Sequence, residues 1–252
     1  MSAEDGTRID VDVNGFSEPH GAEPSPIVEA LFPPGVIAAA WRGPGDAAAL
    51  SAEELHACEG VSPKRLGDFA AGRICARRVL RGFGYNNFSL LVGPDRRPLW
   101  PEHIVGSISH TEGFCAAVAA RGDAFASLGF DAENIGRVDE QLWPDLFTKN
   151  ERQELEMRKG FERSMASTIL FCAKEAYYKC EFGVEPRWIG FTDVSIAFVP
   201  SDDRSGAFEV RPADAPRLAE PLRAGRYAVS QKFAFAGISI LNRLSESKPI
   251  FP

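Results

Sequence analysis

Three short segments carry the residue types that chemistry at a phosphate or a metal would need. The first is G-S-I-S-H, residues 106–110. Read as a strand, it places Ser107 and Ser109 on one face and leaves His110 at the end, where a side chain can meet a ligand. The second is S-L-G-F-D-A-E-N, residues 127–134. Residues two apart on a strand point the same way, so Asp131 and Glu133 share a face and Leu128 and Phe130 take the other. Two like charges that close are unfavourable unless water or a cation neutralises them, and hard divalent ions take such oxygen ligands. The third is F-C-A-K-E-A-Y-Y-K-C-E-F, residues 171–182. On a helix Glu175 and Lys179 are four apart and share a face, and Lys174 lies about 100° round the axis. Each segment has an ordinary alternative: a turn histidine bonded to backbone, a solvated acidic turn, a surface ion pair. The third segment is apolar over much of its circumference, however, and charges on a buried helix need partners.

The elements that must position these residues can be read from pattern. Pro63 to Gly84 predicts a helix, with Leu66, Phe69, Ala70, Ile74, Val79 and Leu80 apolar and the remainder rich in arginine. A second long helix is expected from about Glu162 to Phe182. Short strands are expected within 28–43 and at NFSLLVG (87–93), then at VGSISH, FCAAVAA and FASLGFD, and in four alternating stretches after residue 190. A helix followed by strands thus occurs once in each half. The fold class expected is α+β, a pseudo-dimer of two similar subdomains, each a long helix packed on a small antiparallel sheet. The predicted divisions are a mobile arm over 1–25, an N-terminal subdomain over 26–125 and a C-terminal subdomain over 126–252.

Composition narrows the class. The 252 residues are 44% hydrophobic and 25% charged, as in globular proteins, and no apolar run approaches the length of a membrane span. The polar, acidic start lacks the pattern of a signal peptide, so a cytoplasmic location is expected. A net charge of −7 argues against a nucleic-acid partner. The five cysteines form no C-x-x-C pair, which predicts buried thiols without a disulfide framework or zinc site.

Taken in order, G-S-I-S-H, G-F-D-A-E and F-C-A-K-E-A-Y-Y-K resemble the 4′-phosphopantetheinyl transferase superfamily, with P-L-W-P and W-I-G-F (188–191) in support. Within it the chain is similar to the monomeric, pseudo-dimeric branch, in the group of the enterobactin-synthetase component. The resemblance covers roughly residues 60–200. It implies transfer of the phosphopantetheine arm of coenzyme A to a serine of an acyl or peptidyl carrier protein, with magnesium, or manganese in its place. It further implies that Asp131 and Glu175 hold the metal with Glu133 as a third or water-mediated ligand. His110 and Ser109 would contact coenzyme A, Lys174 and Lys179 would neutralise its diphosphate, and Lys179 or Glu175 would help deprotonate the serine. Arg65 and Arg73 match basic positions that hold the 3′-phosphate. The sequence departs from the pattern at Val92, where relatives often carry lysine; Arg96 or Arg97 would supply that charge. The stretch 149–163 offers Lys149, Arg152, Arg158, Lys159 and Arg163, interleaved with Leu155, Met157 and Phe161 and preceded by Phe147, as a docking surface for an acidic carrier. Competing functions are a non-catalytic coenzyme A-binding module and a magnesium-dependent phosphohydrolase.

Overall fold

The computed structural model describes residues 22–214 and 220–242. Most of the expected arm, residues 1–21, lies outside the described residues. From Glu23 the chain is already structured, since β1 (Glu23–Pro24) pairs antiparallel with β2 (Ile37–Arg42). Between them α1 (Pro26–Glu29) makes one turn, and α2 (Ala52–His56) begins at a capping box formed by Ser51 and Glu54. Ser62 caps α3 (Pro63–Arg81) by accepting the Arg65 backbone N–H, and Pro63 supplies the preset first turn.

Strands β3 (Ile104–Thr111), β4 (Phe114–Arg121) and β5 (Phe125–Asn134) come next, then α4 (Trp143–Leu146), α5 (Lys149–Glu156) and α6 (Gly160–Val184). The chain closes with β6 (Val194–Pro200), β7 (Ser205–Pro212), β8 (Arg223–Val229) and β9 (Phe233–Leu241). Two sheets result, ordered β1-β2-β4-β3 and β5-β9-β8-β7-β6, and every pairing is antiparallel. The expected architecture holds: α3 lies on the first sheet and α6 on the second.

Three apolar clusters explain the layering. The first sheet is buried on both faces, which is why F-C-A-A-V-A-A lacks alternation. Its Ala39, Cys115, Ala117 and Ala119 pack under α3; its Ala38, Ala40, Ala116 and Val118 face Phe130, Ala132, Phe233 and Phe235 of the second sheet. On the far side, Ala234, Ala236 and Ile238 pack against α6. The expected apolar side of α3 holds at Ala70, Val79 and Leu80, which are buried, but its first half turns a smaller-residue face to the sheet. Gly67, Ala70, Ala71, Gly72, Cys75 and Ala76 are buried, while Leu66, Phe69 and Ile74 are only half-buried, because small residues let the helix lie close to the sheet.

One expected strand is absent. NFSLLVG forms no strand beyond an isolated Val92–Pro98 bridge. Its backbone is held by side chains instead: buried Glu54 accepts the Leu90 N–H at 2.9 Å and Arg73 donates to the Leu90 carbonyl at 2.9 Å. Glu54 is in turn paired with Arg77 at 2.8 Å. All five cysteines are buried and free, and among the described residues no helix is long and apolar enough to cross a membrane.

Candidate active site

The site is built where β3 meets β5. β5 is the edge of its sheet, so half its backbone N–H groups point away from β9 and need partners. The hydroxyls on one face of β3 supply them. Ser107 Oγ accepts the Phe130 N–H at 3.1 Å and Ser109 Oγ accepts the Ala132 N–H at 3.3 Å. The offset between bonded residues stays at 22 or 23 along the contact, so the two strands run the same way. The same hydroxyls orient the acids: Ser109 donates to Asp131 Oδ1 at 2.7 Å and Thr111 donates to Glu133 Oε2 at 2.6 Å. Thr111 lies just beyond the G-S-I-S-H motif and carries no signal of its own there, although it continues the Ser107–Ser109 alternation by one more step.

Asp131 and Glu133 point toward α6 because Leu128, Phe130 and Ala132 take the core-facing side of β5. Helix α6 reaches them only because position 129 is glycine. A Cβ there would overlap the Ala176 carbonyl and crowd Cys180. With that approach allowed, Lys179 Nζ donates to Asp131 Oδ1 at 2.6 Å and to the Phe130 carbonyl at 3.3 Å, and lies 4.0 Å from Glu175.

The electrostatics follow from this crowding. Burial pushes the Glu175 carboxyl above its usual range; Lys179 pulls it back, and Asp131 and Glu133 push it up again. Glu133 is likewise raised by burial, with the Thr111 bond opposing and Asp131 adding. Burial works against the Lys179 ammonium, but Asp131 and then Glu175 outweigh it and hold it above the ordinary lysine value.

A divalent cation can be tested against this donor set. Asp131 Oδ2 is buried and has no hydrogen-bond partner, which is costly for a carboxylate oxygen unless a cation or donor completes it. Among the described residues no three His, Cys, Asp or Glu side chains close into a ready-made cage. Magnesium does not require one, since it usually takes one or two carboxylates, several waters and substrate phosphates. The residues present fit such an ion.

Two adjoining cavities lie on the same side of the molecule, and the second reaches Lys179. One, of about 650 Å³, opens between α3, the 92–98 turn and β3, and is lined by Lys64, Arg65, Asp68, Phe69, Arg73, Arg96 and His110. Arg73 is buried, stacks at 3.8 Å on the Phe69 ring, and is lowered by burial to about 10. Arg96 adopts a left-handed backbone, φ 67°, uncommon for a side chain of this size. His110 is about half exposed, with Nε2 3.9 Å from Asp68. The second cavity, of about 550 Å³, lies between the halves against Arg96, Arg97, Trp100, Tyr178, Lys179 and Phe182. Arg96, Pro98 and Ile108 border both cavities, so the two form one groove leading toward Lys179. Gly106 has a packing reason: a Cβ there would strike the Trp100 ring of P-L-W-P.

Asp131, Glu133, Glu175 and Lys179 are therefore brought together, and Arg65, Arg73, Arg96 and His110 line one cavity. Lys174, Ser109 and part of the 149–163 stretch sit elsewhere than expected. Lys174 is not at the diphosphate side: it is 2% exposed, and its Nζ donates to Glu151 at 2.7 Å and to the carbonyls of Phe191 and Val194 at 2.7 and 3.0 Å. Ser109 does not line either cavity; it is sealed between β3 and β5. Arg97 is tied to Asp95 at 2.6 Å and donates to the Phe182 carbonyl at 3.2 Å, bridging the halves while lining the second cavity, whereas Arg96 borders both cavities. In the 149–163 stretch, Phe147 and Leu155 are core residues, and only Met157 and Phe161 are exposed, at 77% and 64%.

Comparison with known proteins finds matches along most of the chain. Residues 53–120 match the family described as the 4′-phosphopantetheinyl transferase N-terminal domain, and 127–231 match the 4′-phosphopantetheinyl transferase superfamily. The chain is 34% identical over 177 residues to the 4′-phosphopantetheinyl transferase Npt of Nocardia iowensis, covering 70% of this chain and 78% of that protein. It is 36% identical over 140 residues to PptT of Mycobacterium tuberculosis, covering 54% and 59%. It is also 36% identical over 118 residues to enterobactin synthase component D of Escherichia coli, covering 46% and 54%. With these last two relatives, then, the chain matches only a little over half of their length. A solved holo-(acyl-carrier-protein) synthase from Bacillus anthracis in complex with CoA aligns with 47% of this chain at 19% identity and a TM-score of 0.32, too slight a likeness to carry an argument.

Proposed function

The chain belongs to the 4′-phosphopantetheinyl transferase superfamily, and on that premise we propose how its residues transfer the 4′-phosphopantetheine group of coenzyme A to a serine of a carrier protein. The observation that carries the reading is that Lys179, which lines a groove bordered by cations, is paired with Asp131 and lies beside Glu175. The serine hydroxyl attacks the β-phosphorus of coenzyme A. The new P–O bond forms as the bond to the bridging oxygen breaks, and 3′,5′-adenosine bisphosphate leaves.

In this reading the first cavity takes the 3′-phosphoadenosine end. Arg65 and Arg96 offer forked donors to phosphate, and Arg73 provides a buried charge already fixed against Phe69. His110 stands at the cavity wall with a ring nitrogen for a phosphate oxygen. Lys179, next to Asp131, holds the diphosphate by charge and helps offset what develops on the leaving side. Glu175, four residues before Lys179 on the same face of α6, is the proton acceptor for the serine. A divalent ion, magnesium in the first instance, would be held by Asp131 and Glu175 with Glu133 directly or through water, and would supply positive charge to offset that of the diphosphate.

The carrier docks on the α5–α6 connection, where exposed Met157 and Phe161 stand beside Arg158 and Lys159. A single chain suffices, because β3 and β5 bring residues of both halves to one groove. The N-terminal half binds coenzyme A and the C-terminal half holds the metal and meets the carrier. Five reduced thiols suit the cytoplasm.

The test is direct. Purified enzyme, coenzyme A, magnesium and an unmodified carrier protein should yield carrier heavier by one phosphopantetheine at its serine, read by intact-protein mass spectrometry. Release of adenosine bisphosphate at the same rate without any carrier would mean hydrolysis instead.

A further inference from the structure

We infer that Lys174 and Glu151 form a positioning pair that holds the carrier-facing segment and β6 in register with the catalytic helix α6. The inference rests on the docking reading above and concerns how that surface is attached to the site. An ammonium has three N–H bonds, and all three of Lys174 are spent: on Glu151 Oε2 at 2.7 Å, the Phe191 carbonyl at 2.7 Å and the Val194 carbonyl at 3.0 Å. Nothing is left to offer a phosphate, and the side chain is 1% exposed.

Glu151 is equally committed. Its Oε2 also accepts the Thr148 N–H at 2.8 Å, closing the capping box that starts α5, and its Oε1 accepts the Ile196 N–H at 2.9 Å in β6. One ion pair therefore joins four stretches that are separate in sequence: the start of α5, the middle of α6, the W-I-G-F turn and the first residues of β6. Phe171 on α6 stacks on Phe191 at 5.8 Å, which ties the same turn to the helix a second time.

The location explains why this pair would matter for the reaction. Lys174 precedes Glu175, so fixing the direction of one sets the rotation of the other about the helix axis, about 100° away. The segment after α5 carries Met157, Arg158 and Lys159. A buried ion pair is a weak device for stability, because apolar residues of equal volume often serve as well. Its geometric demand is what apolar residues lack: three acceptors must come together around one nitrogen. That demand fixes where the docked serine arrives relative to Glu175, and an error of about 1 Å in such a distance can cost two orders of magnitude in rate.

The experiment compares Glu151→Gln, and Lys174→Met combined with Glu151→Gln, with the parent enzyme. Lys174→Met alone strands a carboxylate in the core, and Glu151→Gln alone leaves the buried ammonium without its counter-charge. The single variant is therefore read only where thermal unfolding shows it folded; otherwise the double variant, which removes both charges, decides. Coenzyme A affinity is measured by calorimetry, thermal unfolding reports the fold, and kinetics are run with each substrate varied. The expected result is a coenzyme A dissociation constant within about twofold of the parent, with carrier KM raised and kcat lowered by about tenfold each. Weakening of coenzyme A binding by about tenfold with carrier KM steady would make Lys174 a ligand of the coenzyme and overturn the inference. So would unchanged kinetics in a folded double variant. Charge reversal at Arg158 and Lys159 separates this from the docking reading. If reversal leaves carrier KM alone while Glu151→Gln raises it, the docking site lies elsewhere on the same unit and the positioning role stands. If reversal raises it and Glu151→Gln does not, the positioning role fails alone.

Discussion

The two halves use one plan, a long helix against an antiparallel sheet, for opposite electrostatic ends. Helix α3 carries its charge outward into a cavity: Lys64 and Arg65 stand at its start and Arg73 is buried but stacked and bonded. Helix α6 carries its charge inward, against the sheet, where Glu175 and Lys179 meet Asp131 and Glu133. The first arrangement leaves cations with room for an anionic ligand. The second crowds acids until they need a cation, and Lys179 supplies part of it. On the proposed function, binding energy for coenzyme A would reside mainly in the N-terminal half, and the groups that change charge during the reaction in the C-terminal half.

The comparison is tested most severely by Glu175→Ala. If the C-terminal acids serve the chemical step, turnover should fall by about two to three orders of magnitude. Circular dichroism should be unchanged, since the ion-pair contact of Glu175, with Lys179, lies within α6 itself. Normal turnover would place the chemistry elsewhere. Next in size is the packing contrast. At Gly129 a Cβ would overlap backbone of α6, whereas at Gly72 it would come to 3.3 Å from a movable Ile108 methyl. Gly129→Ala should therefore cost about 1–3 kcal/mol or more in denaturant unfolding, and Gly72→Ala well under that. Equal costs would mean the two helices do not differ in how closely they are pressed to their sheets.

Arg65→Ala and Arg96→Ala test the other half. Each should raise KM for coenzyme A by about tenfold, the range for losing a charged hydrogen bond that is partly solvated, and leave KM for the carrier in place. A fall in kcat with KM for coenzyme A unmoved would contradict the division of labour.

How much of this was legible in the sequence depended on whether local geometry decided the neighbours. Asp131 with Glu133, and Glu175 with Lys179, were readable because strand and helix spacing fix which side chains share a face. Lys174 was not, since its angle round the axis says which flank it takes and nothing about what lies there. Arg96 and Arg97 are adjacent and chemically alike; the left-handed backbone at Arg96 and the Asp95 bond to Arg97 send them to different places. Phe-Ser-Leu-Leu-Val reads as a strand by propensity, but Glu54 and Arg73 take the backbone groups of Leu90 that a neighbouring strand would have used. Phe147 and Leu155 obey the ordinary rule that the apolar side of a surface helix faces inward, and that rule outweighs their appeal as docking anchors.

That correction makes the last effect smaller than the full 149–163 stretch would give. With Phe147 and Leu155 in the core, the proposed docking would rest on Met157 and Phe161 with Arg158 and Lys159 between them. Arg158 is already engaged, donating to the Glu154 carbonyl at 2.9 Å and lying 3.8 Å from Glu162. An exposed charge so compensated contributes little to affinity and acts mainly on encounter rate. Charge reversal at Arg158 and Lys159 should therefore raise KM for an acidic carrier about threefold at low salt. The effect should shrink at about 1 M salt, where the screening length falls to about 3 Å. KM for coenzyme A should not move, because neither residue lines the groove. Met157→Ala should weaken docking without any salt dependence, since apolar contact is not screened. If both variants responded to salt alike, the surface would be acting through charge alone and the apolar anchors would have no part in it.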